Sequence, residues 1–239
     1  MSGLQLVSLP IPLQPFRSWA ANRGFGVDEG LALHHLLSET FGKSALQPFR
    51  LMVAPGGKVG SLYAYARSDA EDLRRIAAEC ALPEALKACE LENLASKSMP
   101  DLWKSGRRLA FDLKTWPVKR LLKAAGVFPK GAEVDAYLAE ALRATPQAPP
   151  REERQAREDI YRNWLKERLG DAAQLEGAKM VRYERRAILR GGQRREGPEA
   201  VWHGELRVLD AEKFAARLAS GVGRHAAYGY GMLLLRPAR

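Results

Sequence analysis

Cysteine is scarce in this chain of 239 residues, which contains only Cys80 and Cys89. The two lie nine positions apart, with no second pair and no histidine nearby, so the spacing supports neither a disulfide framework nor a zinc knuckle. We expect both to be small buried hydrophobic side chains in a reducing cytoplasm.

Long hydrophobic runs are missing as well. No segment approaches the ~18 consecutive apolar residues of a membrane-spanning helix, and residues 1–7 lack the basic start and apolar core of a signal peptide. The sequence therefore predicts a cytoplasmic protein with no membrane partner.

The motifs of several enzyme classes are also absent. The chain has no G-x-S-x-G elbow, no H-E-x-x-H sequence and no paired-carboxylate signature. Of its four histidines, the neighbours His34 and His35 would point about 100° apart on a helix, unlike the i and i+3 or i+4 ligands of a helical metal site. We therefore expect no metal and no other cofactor.

Positive charge is what the chain has in excess. Its 38 lysines and arginines against 28 acidic residues give a net charge of +10, which points to a polyanion as partner. Seven basic residues and one acid lie between residues 179 and 195; the basic ones are Lys179, Arg182, Arg185, Arg186, Arg190, Arg194 and Arg195. Because arginine suits bidentate contacts to phosphate, this segment predicts either a nucleic-acid surface or merely a solvated face.

Hydrophobic periodicity and turn residues divide the chain into two similar halves. In the first half we predict helices over 28–41 and 69–79, a loop through Pro15 after the first strand, and strands over 4–9, 48–54, 59–67 and 88–96. In the second half we predict helices over 151–169 and 210–219, two helical pieces within 118–145, and strands over 107–114, 178–190, 200–209 and 231–236.

Both halves follow the order β-α-β-β-α-β, which is the ferredoxin-like arrangement. The predicted fold class is α+β, with two tandem ferredoxin-like (RRM-like) domains. The first domain is expected over residues 1–100 and the second over 101–239, with a helical insertion at about 118–150 in the second.

The segment near the C-terminus is rich in glycine: Gly221, Gly223, Gly229 and Gly231 lie within eleven residues. Such density lets backbone amides approach a phosphate closely, but the segment has neither a P-loop ending nor the spacing of a dinucleotide fingerprint. It is therefore a strained connection or an anion site. Its side chains favour an RNA site, since they offer phosphate contacts and stacking surfaces: Arg224, His225, Tyr228 and Tyr230.

His34 is the first candidate for proton transfer. The apolar stripe from Leu33 to Phe41 defines the buried face of the predicted helix, with His34 at its border and His35 nearly opposite. A histidine at such a border can be partly desolvated and still reach a cleft, as a general acid or base must, or it can simply flank the core.

The chain carries three stretches, Leu31–Leu37, Leu109–Arg120 and Ser220–Pro237, that resemble in matching order the CasE-type CRISPR-associated endoribonucleases of the RAMP superfamily. The resemblance implies tandem ferredoxin-like domains, a basic face that grips a repeat hairpin, and metal-independent cleavage of precursor CRISPR RNA by its own 2′-hydroxyl. It also implies that the protein stays bound to the product as a subunit of a CRISPR effector complex.

On this hypothesis, His34 matches the catalytic histidine of the family, and His35 is the second catalytic candidate. We expect the RNA to be held by these residues: Arg23, Lys119, Arg120, Arg182, Arg185, Arg186, Arg190, Arg194, Arg195, Gly221, Gly223, Arg224, His225, Tyr228, Gly229 and Tyr230.

Leu31 is a departure from the family, which can have a tyrosine one helical turn before the histidine. Proton transfer then falls to His34, to His35 or to a tyrosine elsewhere, or the protein is a catalytically inactive RNA-binding subunit. With the long insertion, this departure is also compatible with a diverged relative such as a repeat nuclease of a type IV CRISPR system. An unrelated RNA-binding protein of ribosome biogenesis would explain the charge but not the glycine-rich segment.

Overall fold

The computed structural model describes residues 3–142, 156–190 and 193–238. The first half contains the elements β1 (Gln5–Pro12), α1 (Leu13–Asn22), α2 (Glu29–Phe41), β2 (Phe49–Met52), β3 (Val59–Ala66), α3 (Ala70–Cys80), α4 (Pro83–Lys87) and β4 (Ala95–Ser98). The second half contains β5 (Arg108–Thr115), β6 (Val118–Arg120), β7 (Glu133–Asp135), α5 (Ala136–Ala141), α6 (Arg157–Leu169), β8 (Ala173–Arg190), β9 (Gln193–Val208), α7 (Ala211–Ser220) and β10 (Leu233–Pro237).

Two four-stranded antiparallel sheets form the framework. Their strand orders are β4-β1-β3-β2 and β10-β5-β9-β8, so the same ferredoxin-like order occurs twice. This confirms the predicted α+β fold class of tandem ferredoxin-like units. The division of the chain into two domains at residues 100 and 101 stays a prediction.

Local sequence accounts for the helix that carries the two histidines. Asp28 caps α2, because its carboxylate oxygen Oδ1 accepts a hydrogen bond from the amide of Leu31 at 3.0 Å. The apolar stripe from Leu33 to Phe41 is buried in the first core, against the inward-facing residues of β1. Both the cap and the stripe agree with the sequence prediction.

The predicted loop through Pro15 and the predicted strand over 88–96 are wrong. Strand β1 continues through Pro10 and Pro12 and leads directly into α1. Because β4 pairs only with Gln5–Ser8, the part of β1 that holds the prolines has β3 as its only partner strand, which is where a strand tolerates proline. Residues 88–96 instead contain a 3₁₀ turn at Leu91–Asn93 and the start of the short β4.

The predicted helix at the start of the insertion is also wrong. Residues 118–120 form a two-stranded ribbon with residues 133–135, and the indole of Trp164 donates to the carbonyl of Val118 at 3.0 Å. These tertiary contacts override the local helix propensity of the segment. Helix α5 confirms part of the second helical piece. Residues 143–150 of the insertion and residues 151–155, the start of the next predicted helix, lie outside the described residues.

The two sheets are joined by buried contacts. Tyr65 of β3 lies in the core of the second half, where its hydroxyl donates to the carbonyl of Leu233 at 2.8 Å. Arg50 of β2 forms an ion pair with Asp112 of β5. No helix in the described part of the chain has the length and apolar character needed to cross a membrane.

Candidate functional site

The first turn of α2 meets the β8–β9 hairpin and the glycine-rich segment at one junction. Asp28 connects α2 to the hairpin, because its second carboxylate oxygen accepts a hydrogen bond from the amide of Leu189 at 2.8 Å. Gly30 packs closely against the glycine-rich segment: a Cβ atom at this position would lie 2.5 Å from the carbonyl oxygen of Tyr228. Elements that are far apart in the sequence therefore share one surface.

His34 lies at this junction and His35 lies beside it. The half-buried ring of His34 has its centroid 5.1 Å from that of Tyr228. The ring of His35 is exposed and stacks on Phe25 at 4.3 Å, with only 8° between the two planes. Of the two predicted catalytic histidines, His34 is therefore the one that faces the glycine-rich segment.

The four glycines of that segment are required by its path. All have positive φ angles, of 79°, 87°, 84° and 79° for Gly221, Gly223, Gly229 and Gly231. A Cβ atom on Gly223 would lie 2.8 Å from the ring of Trp164. The amide of Gly221 already donates to the carbonyl of Arg217 at 2.9 Å. The backbone conformation and the close packing of the segment therefore explain why it contains these glycines. That the glycines contact RNA stays a prediction.

Arg224 and His225 are paired with one carboxylate from the insertion. Glu133 of β7 forms an ion pair with Nε of Arg224 at 2.5 Å and lies 3.1 Å from Nε2 of His225. Sequence reasoning did not identify Glu133, because it is more than ninety residues away in the chain. The ribbon of the insertion therefore sets the position of two predicted RNA-binding side chains.

Tyr230 is buried, unlike Tyr228, which is half-buried. Its hydroxyl donates to Oε2 of Glu199 at 2.9 Å. Burial, together with the negative charge of Glu199, raises the pKa of Tyr230 above its usual range. Tyr228 is therefore the more accessible of the two tyrosines for contact with a ligand.

Glu199 of β9 and Lys114 of β5 influence each other electrostatically. Burial alone would raise the pKa of Glu199, but the charge of Lys114 and the hydrogen bond from Tyr230 outweigh it and hold this pKa below its usual range. Desolvation lowers the pKa of the half-buried Lys114, although the charge of Glu199 opposes the shift. The amine of Lys114 lies 4.9 Å from the centre of the Tyr230 ring.

The arginines of the hairpin are divided between its two faces. Side chains alternate along a strand, and Arg182 and Arg186 share the face of Glu199, to which both are ion-paired. Arg185 lies on the opposite face and is exposed. Arg194 and Arg195 on β9 are exposed too, whereas the side chain of Arg190 lies outside the described residues.

Three other predicted RNA-binding residues have partners of their own. Arg23 pairs with Glu39 at 2.9 Å and covers the ring of Trp19 at 4.5 Å. Lys119 donates to Glu167 at 3.2 Å, and Arg120 donates to the carbonyl of Gly131 at 3.1 Å. The structure does not place Arg23 in contact with the glycine-rich segment.

Sequence reasoning missed Lys114, Glu133 and Glu199. The sequence did carry a signal for Lys114, which follows Leu113 at the end of a predicted strand and so belongs to the opposite face of that strand. Within the described ranges, no group of three or more histidine, cysteine, aspartate or glutamate residues is arranged to hold a metal ion.

A family profile described as "CRISPR associated protein" matches residues 13–237. The chain belongs to the CRISPR-associated protein family. No curated protein sequence matches this member of the family with significance.

Solved structures of CRISPR proteins share the fold of this family member. The CRISPR endoribonuclease Cse3 bound to a 19-nucleotide RNA is 20% identical, with a TM-score of 0.67 and coverage of 98% of this chain and 99% of the other. Cas6e from Escherichia coli K-12 is 17% identical, with a TM-score of 0.59 and coverage of 98% and 100%. A chain of a CRISPR RNA-guided surveillance complex is 14% identical, with a TM-score of 0.55 and coverage of 98% and 100%.

Proposed function

We propose that this CRISPR-associated protein is an endoribonuclease that binds the repeat hairpin of precursor CRISPR RNA and cleaves it without a metal ion. The observation that carries the proposal is the junction itself, where the half-buried His34 faces Tyr228 next to a hairpin rich in arginine. The likeness to Cse3 bound to RNA supports the choice of RNA as substrate.

The chemistry requires two proton transfers and stabilisation of negative charge. A base removes the proton from the 2′-hydroxyl, whose oxygen attacks the adjacent phosphorus in line. The bond to the 5′-oxygen breaks, and that oxygen takes up a proton, which leaves a 2′,3′-cyclic phosphate and a 5′-hydroxyl. In this proposal His34 performs one of these proton transfers and the hydroxyl of Tyr228 assists the other, which is supported by the 5.1 Å between the centroids of their rings.

The RNA lies along the hairpin and the glycine-rich segment. Arginines on β8 and β9 contact phosphates, while Tyr228 and His225 line the path beside α2. Lys119 and Arg120 of the insertion extend the basic surface. Since a chain of a CRISPR surveillance complex shares this fold, we further propose that the protein remains on the product as a subunit of such a complex.

His34→Ala tests the catalytic proposal. With repeat RNA in EDTA, we expect the cleavage rate to fall by about 10²- to 10⁴-fold while the Kd for the RNA changes less than threefold, because proton transfer is lost but the binding surface remains. His203→Ala is the matched control: this exposed histidine pairs with Asp112 on β5, and its variant should cleave normally. A 2′-deoxy substitution at the cleavage site should abolish cleavage in every variant.

A catalytically inactive RNA-binding subunit is the second candidate, and Leu31 in place of a tyrosine favours it. Tight binding of the repeat without any cleavage by the wild-type protein would establish this alternative. Cleavage that survives His34→Ala but is lost in His35→Ala would move the catalytic role to His35.

A further inference from the structure

Glu199 is the most deeply buried acidic side chain among the described residues, and it lies beneath a surface rich in arginine. Only 2% of it is exposed. Its oxygen Oε1 accepts from Arg182 at 2.8 Å, and Oε2 accepts from Tyr230 at 2.9 Å and lies 3.7 Å from Nε of Arg186. Glu184, on the same face, also pairs with these arginines, at 3.8 Å from Arg182 and 3.1 Å from Arg186, and Glu199 joins them to the glycine-rich segment through Tyr230.

We infer that Glu199 is a positioning residue, which presents Arg182 and Arg186 to the RNA in one fixed arrangement relative to Tyr230. The inference rests on the proposed function as an RNA-binding nuclease. Glu199 does not touch the RNA in this arrangement, because its carboxylate is covered by the residues that it holds.

An acidic residue at this position is electrostatically unfavourable for RNA binding. A carboxylate beneath an RNA-binding face weakens the attraction to every phosphate, whichever RNA is bound. A compensating gain comes from preorganisation: a free arginine side chain loses conformational entropy when it binds a phosphate, and an arginine that is already held loses less of it. Glu199 thus lowers general attraction to RNA and favours RNAs whose phosphates fit the fixed arginines.

Lys114 keeps the arrangement charged. Its amine lies over the ring of Tyr230, and its positive charge favours the ionised form of Glu199 despite burial. An ionised carboxylate accepts hydrogen bonds from both Arg182 and Tyr230, which the neutral acid would do less strongly.

Glu199→Gln tests this inference, with Glu196→Gln as the matched control three residues away on the same strand. Glu196 is exposed and lies 3.6 Å from Arg194. The Kd values of each protein are measured for the repeat hairpin and for an unrelated single-stranded RNA of equal length. For Glu199→Gln we expect at least tenfold weaker binding of the repeat and equal or up to threefold tighter binding of the unrelated RNA. For Glu196→Gln, both values should shift together by less than threefold.

A second measurement separates positioning from folding. In the background Arg182→Ala/Arg186→Ala, Glu199→Gln should cause no further loss of repeat binding, because the arginines that it positions are gone. An equal further loss in that background would overturn the inference, as would a parallel gain in affinity for both RNAs. If the wild-type protein itself binds both RNAs equally, the proposed function fails independently of Glu199.

Discussion

At the scale of single residues, the contact between Gly30 and Tyr228 decides how close His34 comes to the glycine-rich segment. Alanine is a better helix former than glycine by about 0.5–1 kcal/mol. At this position, however, a methyl group would lie 2.5 Å from a backbone oxygen, which cannot move without shifting the whole 3₁₀ turn at Ala226–Tyr228.

Gly30→Ala is therefore expected to lower the free energy of unfolding by about 1–3 kcal/mol, in spite of the gain in helix propensity. Cleavage should fall at least tenfold, because Tyr228 is displaced from His34. The matched control is Gly177→Ala, where a Cβ atom meets nothing within 4 Å. Denaturant unfolding and single-turnover cleavage measure the two effects, and equal stability of both variants would contradict the prediction.

The position of His34 was predictable, whereas its partner was not. The helical stripe from Leu33 to Phe41 placed the histidine at the border of the core, and the structure has it half-buried there. Its neighbour Tyr228 comes from the other half of the chain. No periodicity reports a contact between two segments that tertiary packing alone brings together.

At the scale of elements, Asp28 joins a helix to a hairpin. A normal N-cap satisfies amides of its own helix, but Asp28 uses its second oxygen for the amide of Leu189 and is only 5% exposed. Asp69, the cap of α3, instead accepts from two amides of its own helix. Asp69 therefore serves as a control for Asp28, since both residues cap a helix and Asp28 also accepts a hydrogen bond from the hairpin.

Asp28→Ala is expected to lower the free energy of unfolding by about 2–4 kcal/mol, because it removes a cap and leaves a hairpin amide without its partner. Asp69→Ala should cost about 1 kcal/mol. Only the first variant should weaken binding of repeat RNA, since only Asp28 ties α2 to the arginine-bearing hairpin. Thermal unfolding and RNA titration test this, and similar losses of RNA affinity in both variants would refute it.

Elements with strong local signals were predictable, and the insertion was not. The predicted helices at 28–41, 69–79 and 210–219 have caps and hydrophobic periodicity that agree with one another. Residues 118–125 have the composition of a helix, but residues 118–120 pair with residues 133–135 and Val118 accepts a hydrogen bond from Trp164. The deciding contacts come from outside the segment, so local propensity gave the wrong answer there.

At the scale of the whole molecule, the two ferredoxin-like units share buried contacts. Tyr65 of the first sheet is 1% exposed in the core of the second, and Arg50 is ion-paired with Asp112 across the same boundary. Because neither unit can open without exposing these groups, we expect the protein to unfold in a single cooperative transition.

Tyr65→Phe should keep that single transition while lowering the free energy of unfolding by about 1–2 kcal/mol, since it leaves the carbonyl of Leu233 without its buried donor. Tyr63→Phe, two residues earlier on the same face of β3, should change it by less than about 0.5 kcal/mol. Tryptophan fluorescence and circular dichroism must give coincident curves; two separate transitions in the wild-type protein would show that the units unfold independently.

The sequence by itself determined the net charge, the pairing of two β-α-β-β-α-β units and the helix that carries His34, because these depend on composition and on periodicities within short segments. Only the tertiary structure decided that Glu133 holds Arg224, that Glu199 holds Arg182 and Arg186, and that Tyr228 lies beside His34. Those features depend on contacts between residues that are distant in the chain, and their geometry exists only once the two sheets have packed together.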